Sequence, residues 1–314
     1  MYRILSLDGG GVRGLLTTRL LEKIELTRAG YLGRFDLFTG SSIGALPALG
    51  LAAGLAPEQL SEVYQAHCQV VFSDSWGDDI GDGLVAWGAQ YDNQGLKAIL
   101  ADLFGQKTLA DLPKKVLIPT VQLDNKPADP TQPRHWKAKF FHNYPGPDSD
   151  AAELVVDVAL RSMAAPVFFP IYQGYIDGGL VANNPSLCAL VQAMSATGQG
   201  LAEIALFSLG TGQNPKFIPE MEGDWGLMQW AYRRATADSP ALRLPLVEMM
   251  FEVNIGLADY QCRQLLGPRY HRLDPVLSDP IDLDDSRQIY QLNQLAGRLD
   301  LQPTIAWLDH HLAE

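Results

Sequence analysis

Twice within the first fifty residues, a short apolar run enters a glycine-rich turn and leaves it as a helix-like stretch. Ile4–Leu7 passes through Asp8-Gly9-Gly10-Gly11-Val12-Arg13-Gly14 into Leu15–Thr27, where apolar residues recur at helical spacing. Phe35–Thr39 passes through Gly40-Ser41-Ser42-Ile43-Gly44 into the Ala/Leu-rich segment Gly44–Ala53. A buried strand followed at once by a helix is the repeating unit of α/β folds built on parallel sheets. The rhythm continues. Pro57 with Glu58 suits the first turn of another helix, Val116–Leu123 and Ala138–His142 read as strands, and Asp150–Ala164 reads as a helix. A further strand reaches Ile176, a helix starts near Pro185, and Ile204–Leu209 is a strand ending in Gly210-Thr211-Gly212. The expectation is a mixed, mostly parallel central sheet with helices on both faces. From about residue 222 the pattern is helical without strands and ends in Thr304–Leu312. One domain spanning 1–314 accounts for this: a motif-bearing α/β core to about 215, and a helical C-terminal extension from about 216.

Composition removes several classes of function. A chain of 314 residues, 47% of them hydrophobic, can bury a large core. A formal charge of −12 argues against nucleic acid, which needs clustered Lys and Arg. It also means that contact with a lipid surface would rest on apolar insertion rather than on bulk charge. Cys68, Cys188 and Cys262 are widely spaced and form no Cys-x-x-Cys or Cys/His cluster, so reduced thiols and no metal site are expected. Residues 3–7 run straight into the glycine loop, unlike a secretory signal, and no stretch approaches 18 uninterrupted apolar residues. A cytoplasmic protein, peripheral to a membrane surface at most, is expected.

Gly40-Ser41-Ser42-Ile43-Gly44 fits Gly-x-Ser-x-Gly, with the strand before it and the helix after it that a nucleophile elbow requires. Glycines on both sides let the chain turn tightly. The central serine, Ser42, then stands over the positive end of the following helix, which favours a developing alkoxide. The bare pattern is common by chance, and a structural glycine turn is the bland alternative. Ser41 is adjacent but not central between the glycines. The glycine loop has two readings. Gly9, Gly11 and Gly14 satisfy the dinucleotide fingerprint Gly-x-Gly-x-x-Gly, but the acidic residue at the right distance, Asp36, begins the second strand instead of ending it. Alternatively, consecutive backbone N–H groups form an oxyanion hole, a reading favoured by the serine elbow one unit later. Arg13 then braces the loop, meets a lipid phosphate, or makes a plain ion pair.

A serine hydrolase ordinarily needs a histidine base. His67, His135, His142, His271, His310 and His311 include none in a recognisable catalytic loop, although His142, at a strand end, is the best placed. Asp177 in Asp177-Gly178-Gly179 is the other candidate. An Asp-Gly pair by itself is a turn, and a carboxylate is an intrinsically weak base. Burial beside the serine would strengthen it. The residues alone leave this open.

Taken together, Asp8–Gly14, Gly40–Gly44, Arg161-Ser-Met-Ala-Ala-Pro166 running into Phe168-Phe169, Asp177-Gly-Gly-Leu-Val-Ala-Asn-Asn-Pro185 and Ser208-Leu-Gly-Thr-Gly212 resemble the patatin-like phospholipases in order and spacing over about residues 1–215. The resemblance implies a three-layer α/β/α fold and a Ser–Asp dyad, with Ser42 as nucleophile and Asp177 as base. It implies an oxyanion hole from the N–H groups of Gly10, Gly11, Val12 and Arg13, with Gly9, Gly14, Gly40, Gly44, Gly178 and Gly179 supporting the motifs. It further implies hydrolysis of phospholipids or other acyl lipids without metal or cofactor, and transient contact with a membrane surface. Ala45 stands where many relatives have glycine, and Arg161-Ser-Met replaces a more Ala/Thr-rich lead-in. Some bacterial relatives are switched on by second-messenger nucleotides. The aromatic-rich stretch 73–93 (Trp76, Trp87, Tyr91) and a helix around Met221–Arg234 are candidate lipid-facing elements, with core packing as the alternative for their aromatics. Two rival functions are a catalytically idle lipid- or partner-binding relative, whose usual mark is loss of the serine or the aspartate, and a nucleotide-binding enzyme. Here both residues are present.

Overall fold

Residues that alternate along each short strand face opposite sides of one sheet, and both sides are apolar. The computed structural model describes residues 1–73, 88–220, 225–233 and 242–312. Its strands are β1 (Tyr2–Leu7), β2 (Leu37–Gly40), β3 (Lys115–Gln122), β4 (Lys137–His142), β5 (Tyr175–Ile176) and β6 (Ile204–Leu209), the two-residue partners β7 (Tyr232–Arg233) and β8 (Leu242–Arg243), and β9 (Tyr270–Leu273). The main sheet runs β4-β3-β2-β1-β6-β9, with β5 also paired to β3. Five strands are parallel, and β4 and β5 run antiparallel to β3. The helices are α1 (Gly14–Thr27), α2 (Ala45–Ala52), α3 (Pro57–Ser73), α4 (Gln94–Phe104), α5 (Val155–Ser162), α6 (Gly179–Ala182), α7 (Ser186–Thr197), α8 (Leu227–Ala231), α9 (Pro245–Leu266), α10 (Ile289–Arg298) and α11 (Gln302–Leu312).

Ile4, Leu37, Leu117 and Leu206 point to one face and pack with α7 and α9 through Leu190, Ala193, Cys262 and Leu266. Their neighbours Leu5, Phe38, Ile118 and Phe207 point to the other, where α1, α2, α5, α10 and α11 cover them. Period two along the strands and helices on both sides make three layers. Parallel register then aligns Leu7 with Gly40 on one side and with Leu209 on the other. Both glycine turns and the Gly210–Gly212 turn therefore leave the sheet abreast, at the carboxyl ends of adjacent strands, where open α/β sheets bind their ligands.

Three expectations need correction. The chain beyond 222 is not without strands. Tyr270–Leu273 joins β6 in parallel at the sheet's far edge, in a stretch too short to display a period. The helix expected over Asp150–Ala164 covers only Val155–Ser162. Asp150 is held at the end of β4 by Lys139 Nζ at 2.6 Å and the His142 N–H at 3.1 Å, and Leu154 bridges to Thr108. The helix expected around Met221–Arg234 is, within the described residues, the five-residue α8, after which Tyr232 turns into β7. Trp76 and Trp87 lie outside the described residues. Tyr91 is buried in the core against Phe169.

Candidate active site

The elbow is built by steric exclusion. A Cβ on Gly40 would sit 2.0 Å from the Gly44 carbonyl oxygen, and one on Gly44 would sit 2.6 Å from the carbonyls of Leu7 and Asp8. Only hydrogen fits at either end of the turn. Between them Ser42 adopts φ +51°, a left-handed conformation that a side chain rarely occupies and that marks a strained, over-determined residue. Its N–H donates to Ser162 Oγ at 3.1 Å, and Ser162 Oγ donates to the Pro119 carbonyl at 2.8 Å, anchoring the turn to β3. Ser41 is extended and fully buried. Pro47 lies in the first turn of α2, where its missing N–H has no intrahelical partner to lose.

Ser42 Oγ donates to Asp177 Oδ2 at 2.6 Å, across 135 residues of sequence. The other carboxylate oxygen accepts from the Gly179 N–H at 2.7 Å, and the Asp177 backbone N–H donates to the Ala164 carbonyl at 3.0 Å. Asp177 is fully buried. Burial pushes its carboxyl up to about 7, against the opposing effects of the Ser42 hydroxyl and the Gly179 N–H. Gly178 and Gly179 lie against the Pro119 carbonyl and the Phe251 ring, leaving no room for side chains beside the carboxylate.

The glycine loop offers fewer free amides than its sequence implies. Val12 donates its N–H to the Leu283 carbonyl at 2.8 Å, and Arg13 donates its N–H to the Gly10 carbonyl at 3.2 Å. Both amides are engaged in holding the loop, so neither is free for an oxyanion. The Gly10 and Gly11 amides have no acceptor among the described residues, and both residues line the cleft that holds Ser42. Gly11 has φ +58° and a Cβ there would lie 1.9 Å from the Leu283 carbonyl oxygen, so this position accepts only glycine. Gly9 lies against Asn183 and the Ser42 Cβ, and Gly14 against the Tyr64 hydroxyl. Asp36 accepts from the Arg3 N–H at 2.8 Å, at the start of the strands and the opposite end of the sheet from this loop. The ribose-binding half of the dinucleotide reading is therefore absent.

The sequence profile of the patatin-like phospholipases matches residues 5–190. The chain belongs to that family. Lipid-ester hydrolysis is thus its chemistry at the level of class. CotR of Bacillus subtilis (strain 168) is 29% identical over an alignment covering 98% of this chain and 97% of CotR. The cGAMP-activated phospholipase of Pseudomonas aeruginosa (strain BWHPSA011 / Pa011) is also 29% identical, covering 94% of this chain and 83% of its own length. Among solved structures, the type III effector ExoU aligns with 99% of this chain and 53% of its own, at 16% identity and a TM-score of 0.38.

In this patatin-like chain the cleft around Ser42 is apolar, walled by Leu46, Leu96, Ile99, Phe168, Phe169 and Phe251. Asn183 brings a polar side chain to it, and its Oδ1 is buried without a partner among the described residues. No histidine lines the cleft among the described residues. His142 is buried at the far end of β4 with Nε2 3.4 Å from Asp148, and His271 hydrogen-bonds Thr304 and stacks on Phe207 and Trp307. Arg13 braces the loop and makes an ion pair. Its guanidinium is buried, donating to the Gly212 carbonyl at 3.0 Å and to Glu252 Oε1 at 2.5 Å, which ties the loop to α9.

Sequence reasoning missed three contributors. Arg272 on β9 donates to the buried Asp8 at 2.7 Å, to Asp274 at 2.8 Å and to Ser208 at 2.8 Å, neutralising the carboxylate that starts the glycine loop. Asn254 on α9 accepts from the Asn183 N–H at 2.7 Å and donates to the Gly179 carbonyl at 2.8 Å, clamping the segment that follows Asp177. Ser162 fixes the elbow as described. The first two lie in the C-terminal third, where no motif marks them. Ser162 lies inside the Arg161–Pro166 motif, and its role depends on a neighbour 120 residues away.

Proposed function

We propose that the chain hydrolyses acyl esters of phospholipids or related acyl lipids through an acyl-enzyme on Ser42, with Asp177 as the only side-chain base. The observation that carries this reading is the 2.6 Å hydrogen bond from Ser42 Oγ to a fully buried carboxylate, in an apolar cleft without histidine among the described residues. An ordinary aspartate, near 3.9, is too weak a base to share a serine proton. With burial holding Asp177 near 7, it is matched to that task around neutral pH. Asp177 takes the proton as Ser42 Oγ attacks the ester carbonyl, and the Gly10 and Gly11 amides receive the oxyanion. The leaving alcohol departs with the proton, and water, activated by the same carboxylate, releases the fatty acid.

Labelling with a serine-directed fluorophosphonate, together with fatty-acid release from phosphatidylcholine and from a short soluble ester, tests the proposal. Wild type is expected to label and turn over, and Ser42→Ala to do neither. Asp177→Asn should lower turnover by roughly a thousandfold or more. Labelling of Ser42→Ala at the wild-type level would falsify the nucleophile assignment. Near-normal turnover in Asp177→Asn would remove the base.

A further inference from the structure

Along α9 the exposed residues break the usual pattern of a solvated helix. Leu246, Met249, Met250, Val253, Leu257 and Tyr260 are exposed, from 37% at Met249 to 65% at Val253, and recur at steps of three or four so that they share a face. Between Leu246 and Tyr260 every exposed position is uncharged. The acidic residues of the helix turn away from this face and are paired: Glu248 with Lys216, Glu252 with Arg13, and Asp259 with Arg263. Beside it, α8 packs on α9 and adds exposed Leu227 and Met228. A face of this size without charge, on a chain of net charge −12, marks an interaction surface and not ordinary scattered exposure.

The same helix builds the site. Its inward side supplies Phe251, a wall of the Ser42 cleft, and Asn254, the clamp on Gly179 and Asn183. Exposed Met249 and Val253 rim a cavity whose inner wall, Phe251 and Leu283, is also a wall of that cleft. We propose that the uncharged face of α9 docks the protein on a lipid surface, its side chains entering the acyl boundary so that the cleft opens next to the substrate layer. The choice of a lipid partner rests on the lipid-hydrolase reading above. The face carries neither cations to meet anionic headgroups nor carboxylates to be desolvated, so a zwitterionic surface suffices and salt has little influence. Two copies of a chain bearing −12 would meet against mutual repulsion.

The test uses the full chain carrying Ser42→Ala, so that hydrolysis is not needed for the readout, with phosphatidylcholine vesicles in a sedimentation assay at low and high salt. Binding is expected at both. Met250→Glu with Leu257→Glu should raise the lipid concentration for half-binding about tenfold or more. The same pair in the Ser42 chain should leave turnover of a short soluble ester unchanged. As a second variant, Leu257→Trp should show a blue-shifted emission on vesicle addition, relative to its parent. The proposal is overturned by vesicle binding that ignores the Glu pair, by an unshifted emission from the Leu257→Trp chain, or by binding that needs anionic lipid and disappears in salt. A dimer in the absence of lipid that the Glu pair dissociates would assign the face to a second copy instead. Should Ser42 prove inert toward esters while vesicle binding behaves as described, the hydrolase reading fails and the docking surface stands.

Discussion

At the scale of single residues, the site holds two groups in states that cost stability. Ser42 sits at positive φ, and Asp177 is a carboxyl fully removed from water with no cation as partner among the described residues. The folded protein holds the Asp177 proton near 7, whereas an unfolded aspartate releases it near 3.9. The group's contribution to stability is therefore most favourable below about pH 4. It declines as pH rises through the window from about 4 to about 7 and stays a constant cost above that. Two outcomes follow. Turnover of a soluble ester should rise with pH through about 7, as the carboxylate form of Asp177 fills. Asp177→Asn, while inactive, should stabilise the fold by on the order of 1–4 kcal/mol at about pH 8 and by distinctly less at about pH 5. Thermal melts of the two proteins at both pH values check this, and an equal gain at both would deny the raised pKa. The pairing of Ser42 with Asp177 was legible only through motif resemblance. An Asp-Gly dipeptide is ordinarily a turn, and nothing local in the sequence announces that it will be buried beside a serine 135 positions away.

At the scale of elements, β9 and α9 are the pieces of the C-terminal third that complete the site. β9 adds one parallel strand beside β6, and that strand carries Arg272 to the buried Asp8. Breaking a buried pair by removing the cation leaves the carboxylate uncompensated. Arg272→Met is thus expected to destabilise the protein by roughly 3–5 kcal/mol. Asp8→Asn added to Arg272→Met should return much of that loss in a double-mutant cycle followed by chemical denaturation, and an additive cycle would show that the two residues do not act as a pair. The helical character of α9 was expected from the C-terminal pattern, but its part in the site was not, and β9 was not visible in advance. Four residues of strand lie below the length at which alternation can be recognised. The role of α9 depends on which of its faces meets the glycine loop, which periodicity alone does not specify.

At the scale of the whole molecule, described elements of the C-terminal third share the sheet and the apolar cluster of the motif-bearing core. β9 extends the same sheet, and Leu292, Ile305 and Leu308 of α10 and α11 are buried in the same apolar cluster as Leu5, Leu7 and Phe207. We accordingly expect one cooperative unit. Truncation after residue 215 should abolish soluble expression and labelling at Ser42, and calorimetry of the full chain should give a single transition. A folded, labelling-competent 1–215 fragment would place the site in an autonomous domain. Among the described residues no helix is long and apolar enough to cross a membrane. The sequence by itself determined the parallel α/β sheet, and the two glycine turns and their place at strand ends. Those rest on local chemistry: apolar runs and glycine steric freedom. Tertiary structure alone decided which amides of the loop remain free, that Arg13 is an internal brace, and that Asp177 is dry enough to titrate near 7. Each of these depends in part on a group far along the chain (Leu283 for the loop, Glu252 for Arg13, Ser42 for Asp177), and a distant partner sets burial and hydrogen bonding without leaving a local trace.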